Sequence, residues 1–207
     1  RLNGLQTYND AARILQSQLN SIKENRGTGS TKGSTKFTKP ARDAAKIREH
    51  KQQEQKLKIL QIVEKTWKLS QPFEGTLGDI YLRSRKIFLK DEPNIKFISK
   101  LYNKELGQTV PALLFAVREK HDGPLIAIHR IYLNQKGEKL DVSVPKMALG
   151  SIFSGGAWFG TPDKILSIAE GIENTLCTRC LGYKFCVSTI NATNYSNLII
   201  PTHVETV

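Results

Sequence analysis

Apolar residues Ala11, Ile14, Leu15, Leu19 and Ile22 recur at helical spacing behind Thr7-Tyr8-Asn9-Asp10. Thr7 and Asp10 have the form of a capping box, so a short amphipathic helix is expected here. Residues 26–39 read RGTGSTKGSTKFTK and have no means of burying a core, which predicts a flexible linker closed by Pro40. A second helical stretch is predicted from about Ala41 to Leu69. Its first half is very polar (KIREHKQQEQK), while its second carries Leu57, Leu60, Val63 and Trp67 on one stripe, and Pro72 stops it. Thr76-Leu77-Gly78-Asp79 repeats the capping-box form and predicts a helix through Ile80, Tyr81 and Leu82 to about Lys86.

From Ile95 to Phe159 the pattern becomes one of short β-type runs. Leu113 to Val117 and Leu125 to Ile128 flank a turn at Asp122-Gly123. Ile131-Tyr132-Leu133 precedes a second turn at Gln135-Lys136-Gly137, and together these predict an antiparallel meander. Gly150, Gly155, Gly156 and Gly160 punctuate its end. The pattern then changes again. Ile165 to Ala169 is a short buried-strand run ending in Glu170-Gly171, and a helix follows from about Ile172 to Leu181. Phe185-Cys186-Val187 is another strand, residues 194–199 suit a short helix, and Val204 to Val207 begins a third strand. Strand, helix, strand, helix, strand predicts a parallel α/β unit. No internal repeat is visible.

At 207 residues the chain has room for one large domain or two small ones. The longest apolar run, Val110 to Val117, is far shorter than the roughly 18 residues that span a bilayer, so no membrane partner is expected. The opening residues lack the apolar stretch of a signal peptide. The first residue is Arg1 rather than methionine, which suggests a fragment or a processed chain. Three cysteines are too few, and odd in number, for a disulfide framework; a reducing, cytoplasmic setting is expected. The net charge of +12 is uneven. Residues 1–70 hold 15 Lys/Arg against 6 Asp/Glu, and residues 71–207 hold 16 against 13. A basic arm of this kind either meets a polyanion or is a solvated linker.

The sharpest chemical signal is AEGIENTL, Ala169 to Leu176. It places Glu170 in a strand-to-helix turn, at the carboxyl end of a parallel strand, where α/β sheets bind ligands. A carboxylate there can ligate a hard cation or act as a general acid or base. Alternatively, Glu170 and Glu173 are early-helix acids favoured by the helix dipole. Cys177-Thr178-Arg179-Cys180 contains a CxxC, with Cys186 beyond it. Only His203 follows as a further ligand, so no zinc is expected and packing of Cys177 and Cys180 against the sheet is the simpler account. Trp67 and Trp158 read as core residues, GTGSTKGST lacks the spacing of a phosphate loop, and no G-x-S-x-G occurs.

AEGIENTL resembles the acidic motif of the Toprim domain, in the form found in primases and primase-helicases of plasmids, phages and conjugal-transfer systems. The upstream module of those proteins resembles five stretches here, in the same order. They are Tyr81-Leu82-Arg83-Ser84-Arg85, Pro111 to Leu114, Ile128-His129-Arg130-Ile131-Tyr132-Leu133, Lys146 to Gly150, and Gly155 to Gly160. The opening helix is similar to the tail of the zinc-finger domain that often begins such primases. The resemblance divides the chain into that helix (1–25), a basic linker (26–40), a helical and β-rich primase-associated module (41–160) and the first half of a Toprim sheet (161–207).

The resemblance implies a mixed α/β fold: N-terminal helices and linker, a β-rich antiparallel module, then an incomplete parallel Rossmann-like sheet. It implies magnesium held by Glu170 together with an Asp-x-Asp pair, which does not occur in this sequence. This chain by itself is therefore not expected to polymerise nucleotides. The implied partners are single-stranded DNA, nucleotides, and a helicase domain or replisome protein. Arg83, Arg85 and Arg130 could then face phosphate, which guanidinium matches bidentately, or instead bridge acidic neighbours. Lys139 and Lys146 carry the same two readings. His129 is expected to pack within the sheet. A non-catalytic DNA-binding role in replication or conjugation is the alternative, and a Toprim nuclease a third. A half-built sheet with an open edge at Val204 to Val207 predicts self-association.

Overall fold

The computed structural model describes residues 39–207, with side chains from residue 46 onward. The expected opening helix and residues 26–38 of the expected linker lie outside the described residues; Lys39 and Pro40, placed in the linker, open a helix instead. The chain divides after Gln61 into two compact units, and helix α1, Lys39–Leu69, runs through the division. In the first unit, the α1 residues Lys46 to Lys58 are mostly polar and mostly exposed, with His50 and Glu54 paired at i,i+4. In the second, Val63 is fully buried in a cluster with Val110, Ala112, Leu114, Ile128 and Tyr132. Trp67 packs beside it, and the Lys96 ammonium sits 4.9 Å from the Trp67 ring centroid. The Ser70 hydroxyl donates to the Trp67 carbonyl at 2.7 Å, closing the last turn.

Helix α2, Leu77–Ser84, starts as its sequence demands. The Thr76 Oγ1 accepts from the Gly78 N–H at 3.1 Å, satisfying one of the orphan donors of the first turn. The Asp79 carboxylate reaches back one residue further than in a capping box, to the Gly75 N–H at 3.1 Å. The buried face of α2 carries Gly78, Tyr81 and Leu82.

Four long or medium strands follow as an antiparallel meander: β2 Ile95–Asn103, β3 Gln108–Arg118, β4 Leu125–Tyr132 and β5 Lys146–Gly150. A two-residue strand β1, Gln71–Pro72, adds to its edge, and the order is β1-β2-β3-β4-β5. Pro111 sits inside β3, where a proline removes a ladder donor. Its carbonyl accepts from the Leu133 N–H at 2.8 Å, so the missing donor faces the β4 side, and the β2–β3 register jumps between Ile98 and Leu101 on the other. Side chains alternate between two cores. Leu113, Phe115 and Ile131 face a cluster with α2, whereas Ala112, Leu114, Ile128 and Tyr132 face the Val63 side.

The second sheet is small and mixed. Its strands are β6 Ala157–Gly160, β7 Leu166–Ala169 and β8 Phe185–Ser188, in the order β6-β8-β7. β7 and β8 are parallel and joined by helix α3, Ile172–Cys180, as the alternation of elements predicts. β6 runs antiparallel to β8, so the sheet is mixed, and the strand at the end of the expected upstream module belongs with β7 and β8. An Arg118–Gly156 bridge joins the end of β3 to the start of β6. Ala157, Phe159, Ile172, Leu176 and Cys186 then complete the core begun by Tyr81, Leu113, Phe115 and Ile131. A short 3₁₀ helix spans Ala192–Asn197. The expected third strand at Val204 to Val207 makes one parallel bridge, Ile165 to Thr206, beside β7. The fold among the described residues is thus mixed α/β.

The cysteine expectation needs correction. Cys177 and Cys180 are exposed: Cys177 follows the buried Thr175 and Leu176 on the outward side of α3, and Cys180 is the last residue of the helix. Cys186 on β8 is the buried one.

Candidate functional site

The turn carrying Glu170 is pinned through its backbone. The Glu170 carbonyl accepts from the Ser188 hydroxyl at 2.6 Å and from the Ile190 N–H at 2.9 Å. The Thr189 N–H donates to the Ala169 carbonyl at 3.0 Å, so the ends of β7 and β8 are tied together just where the chain enters α3. The Glu170 side chain is exposed and makes no hydrogen bond or ion pair among the described residues. Gly171 is the N-cap of α3 and offers no side-chain cap.

Glu173, one turn on, is in contrast fully engaged. Its Oε1 and Oε2 accept from the Lys146 Nζ at 2.7 and 2.6 Å. Its Oε1 also accepts from the Tyr81 hydroxyl at 2.7 Å. One carboxylate thereby ties α3 to β5 and to α2. Burial by itself pushes the Glu173 carboxyl up; the hydrogen bonds from Lys146 and Tyr81 and the ammonium charge outweigh it and leave the group below the usual carboxylate value. The Tyr81 hydroxyl moves the other way, raised by burial and by its bond to the Glu173 carboxylate.

Three further groups surround this pair. Arg85, which caps α2, lies with its guanidinium 5.5 Å from the Tyr81 ring centroid. Lys139 is half-buried; burial lowers its ammonium below the ordinary value, and the neighbouring Lys146 charge adds to this. His129 faces the same side of β4 as Ile131, since side chains two apart share a face. Burial, together with the Lys146 charge, pushes its imidazole down to about 4, and its Nδ1 has no partner. The group therefore brings three cations, Arg85, Lys139 and Lys146, around one ionised carboxylate, with a neutral imidazole beneath. A surplus of positive charge in a partly buried setting favours an anionic ligand.

The other sequence candidates fall elsewhere. Arg130 is buried on the opposite face of β4, where it donates to the Met147 and Ala148 carbonyls at 3.4 and 3.2 Å and to the Tyr132 hydroxyl at 3.1 Å. Its donors are committed within the fold. Arg83 is exposed and paired with Asp79 at 2.8 Å, the acidic-neighbour reading weighed for it. The sequence candidates Arg85, Lys139 and Lys146 thus come together, and Arg130 and Arg83 stand apart. Tyr81 as a hydrogen-bond donor and Glu173 as the hub carry no signal in the sequence, because their partners lie 92 and 27 residues away along the chain.

Magnesium takes oxygen ligands and is usually held by one or two carboxylates with waters and substrate phosphates. Glu170 fits the part of one such ligand, being exposed and uncommitted, whereas Glu173 is occupied by Lys146 and Tyr81. Among the described residues no group of three or more His, Cys, Asp or Glu stands together as a metal-holding set. Nor is any described helix long and apolar enough to cross a membrane.

No curated protein and no solved structure matches the chain. A family model described as a domain of unknown function (DUF7146) matches residues 58–159. That stretch holds Tyr81, Arg85, His129, Lys139 and Lys146, and ends before Glu170 and Glu173.

Proposed function

We propose that the chain is part of a Toprim primase-like protein of a mobile element, which in its intact form performs magnesium-dependent nucleotidyl transfer on single-stranded DNA in the cytoplasm. The observation that carries this reading is the position of Glu170: an exposed carboxylate between a parallel strand and its following helix, one helical turn from a cation-rich group. In open α/β sheets ligands bind at the carboxyl ends of the strands. Magnesium, when bound, would supply charge neutralisation at the reacting phosphate, with Glu170 as one of its protein ligands. Arg85, Lys139 and Lys146 would bind the triphosphate of an incoming nucleotide, and Tyr81 and Glu173 would hold Lys146 in place. The ordered sequence matches upstream of Glu170 support the same reading. A helicase domain or replisome protein is the proposed partner.

Primer synthesis on a single-stranded template, with nucleoside triphosphates and magnesium, is the test for the intact protein. The reading expects labelled primers that vanish in E170Q; cleavage of the template without synthesis would instead indicate a nuclease. A second reading, DNA binding without catalysis, is favoured by the exposed face of α1, where Lys46, Arg48, Lys51, Lys56 and Lys58 outnumber Glu49 and Glu54. It expects single-strand affinity that falls steeply with salt and is indifferent to magnesium and to E170Q.

A further inference from the structure

The cation-rich group raises a question of selectivity. A lysine ammonium has three N–H donors, and Glu173 takes two of those of Lys146, one on each oxygen. The Tyr81 hydroxyl bonds to the same carboxylate and keeps it from swinging away. Lys139 forms a β-bridge with Leu133, two residues on from Ile131, the partner of Lys146, and the Arg85 guanidinium lies 5.5 Å from the Tyr81 ring centroid; neither forms an ion pair among the described residues. A small anion such as orthophosphate has to choose. It either displaces Glu173 from Lys146, leaving a half-buried carboxylate unpaired, or binds with part of the available positive charge. A longer anion can leave the Glu173–Lys146 pair intact and spread its oxygens over Arg85, Lys139 and the remaining donor of Lys146.

Resting on the reading of this group as an anion site, we propose that Glu173 is its specificity-determining residue. As a built-in counter-ion to Lys146, it makes the group select polyphosphate chains over single phosphate groups. Glu173 touches no reacting atom in this account and acts through Lys146, so it is a positioning and selecting residue rather than a catalytic one.

The test measures affinity of the 207-residue chain for inorganic tripolyphosphate and for orthophosphate by calorimetry at fixed ionic strength. The wild-type chain is expected to prefer tripolyphosphate. E173Q keeps the shape and removes the charge; it is expected to raise orthophosphate affinity about tenfold and to narrow the preference. Y81F removes a hydrogen bond to Glu173 and leaves the charge, and is expected to change the preference less than twofold. K146M is expected to weaken both anions. If E173Q does not fold, E173D carries the same test with an expected change of about threefold, because the shorter arm releases Lys146 in part. An unchanged preference in a folded E173Q overturns the proposal while K146M sensitivity leaves the anion site standing. Equal changes in Y81F and E173Q also overturn it, since packing and not charge would then set the preference. If neither anion binds the wild type or E173Q, both the site and its selectivity fail.

Discussion

The two faces of β4 make the most instructive contrast in the molecule. Arg130 and His129 are neighbours in the chain, and both sit in a strand of strong apolar character. Arg130 points into the Val63 side, where a tyrosine hydroxyl and the Met147 and Ala148 carbonyls take up its donors. His129 points to the side shared with Ile131, next to Lys146 and Glu173, and keeps an unpartnered nitrogen. One face has resolved its polar groups into structure. The other holds charge in excess of what the fold consumes. That imbalance distinguishes a supporting network from a site, and it is what separates Arg85, Lys139 and Lys146 from Arg130.

Replacing Arg130 should show the largest effect. R130A leaves the Tyr132 hydroxyl and the carbonyls of β5 without their donor inside the fold, at a cost of about 3 kcal/mol in urea unfolding. Its effect on tripolyphosphate affinity should be within twofold in protein that remains folded. A loss of affinity as large as that of K146M would erase the distinction between the faces.

His129 supplies the second prediction. Its imidazole is pushed down to about 4 in the folded chain against an ordinary 6.5. The unfolded chain then binds the extra proton more readily, so the contribution to stability is complete above pH 6.5 and is lost as the pH falls towards 4. The loss should amount to about 3 kcal/mol at most across that window. H129L should flatten that part of the stability profile. An unaltered slope would mean that the imidazole titrates as it does in water.

How far this contrast was legible beforehand depends on the element. The start of α2 was legible because Thr76 and Asp79 are local capping residues. The β3–β4 hairpin was legible from its apolar runs and the Asp122-Gly123 turn. The β7–α3–β8 unit was legible from its alternation. What the sequence concealed was register. β5 returns to β4 after an irregular stretch, pairing Ile131 with Lys146 and His129 with Ala148. No local pattern sets that alignment, so the side to which each cation points was open. The placement of β6 was concealed for a similar reason: four residues after a glycine pair can join either sheet, and packing of Trp158 and Phe159 settles it.

Smaller effects sharpen the picture. Y81F should cost about 1 kcal/mol, the usual value of a single hydrogen bond, with the Glu173–Lys146 pair retained. Glu173 itself is held below its ordinary value, so its contribution is present above about pH 4.5 and lost as the pH falls through the folded value. In K146M that acid-side loss should shrink, as seen in urea midpoints between about pH 3 and 5. R83Q should change stability by less than about 0.5 kcal/mol, because its pair with Asp79 is an exposed one.

The most direct test of the account titrates a magnesium–nucleoside triphosphate complex into the 207-residue chain and into E170Q and K146M. The account predicts binding that magnesium strengthens at least tenfold, with that gain lost in E170Q through the metal and the binding itself weakened at least tenfold by K146M through the phosphates. Binding indifferent to magnesium and to both substitutions, or none at all, would contradict it.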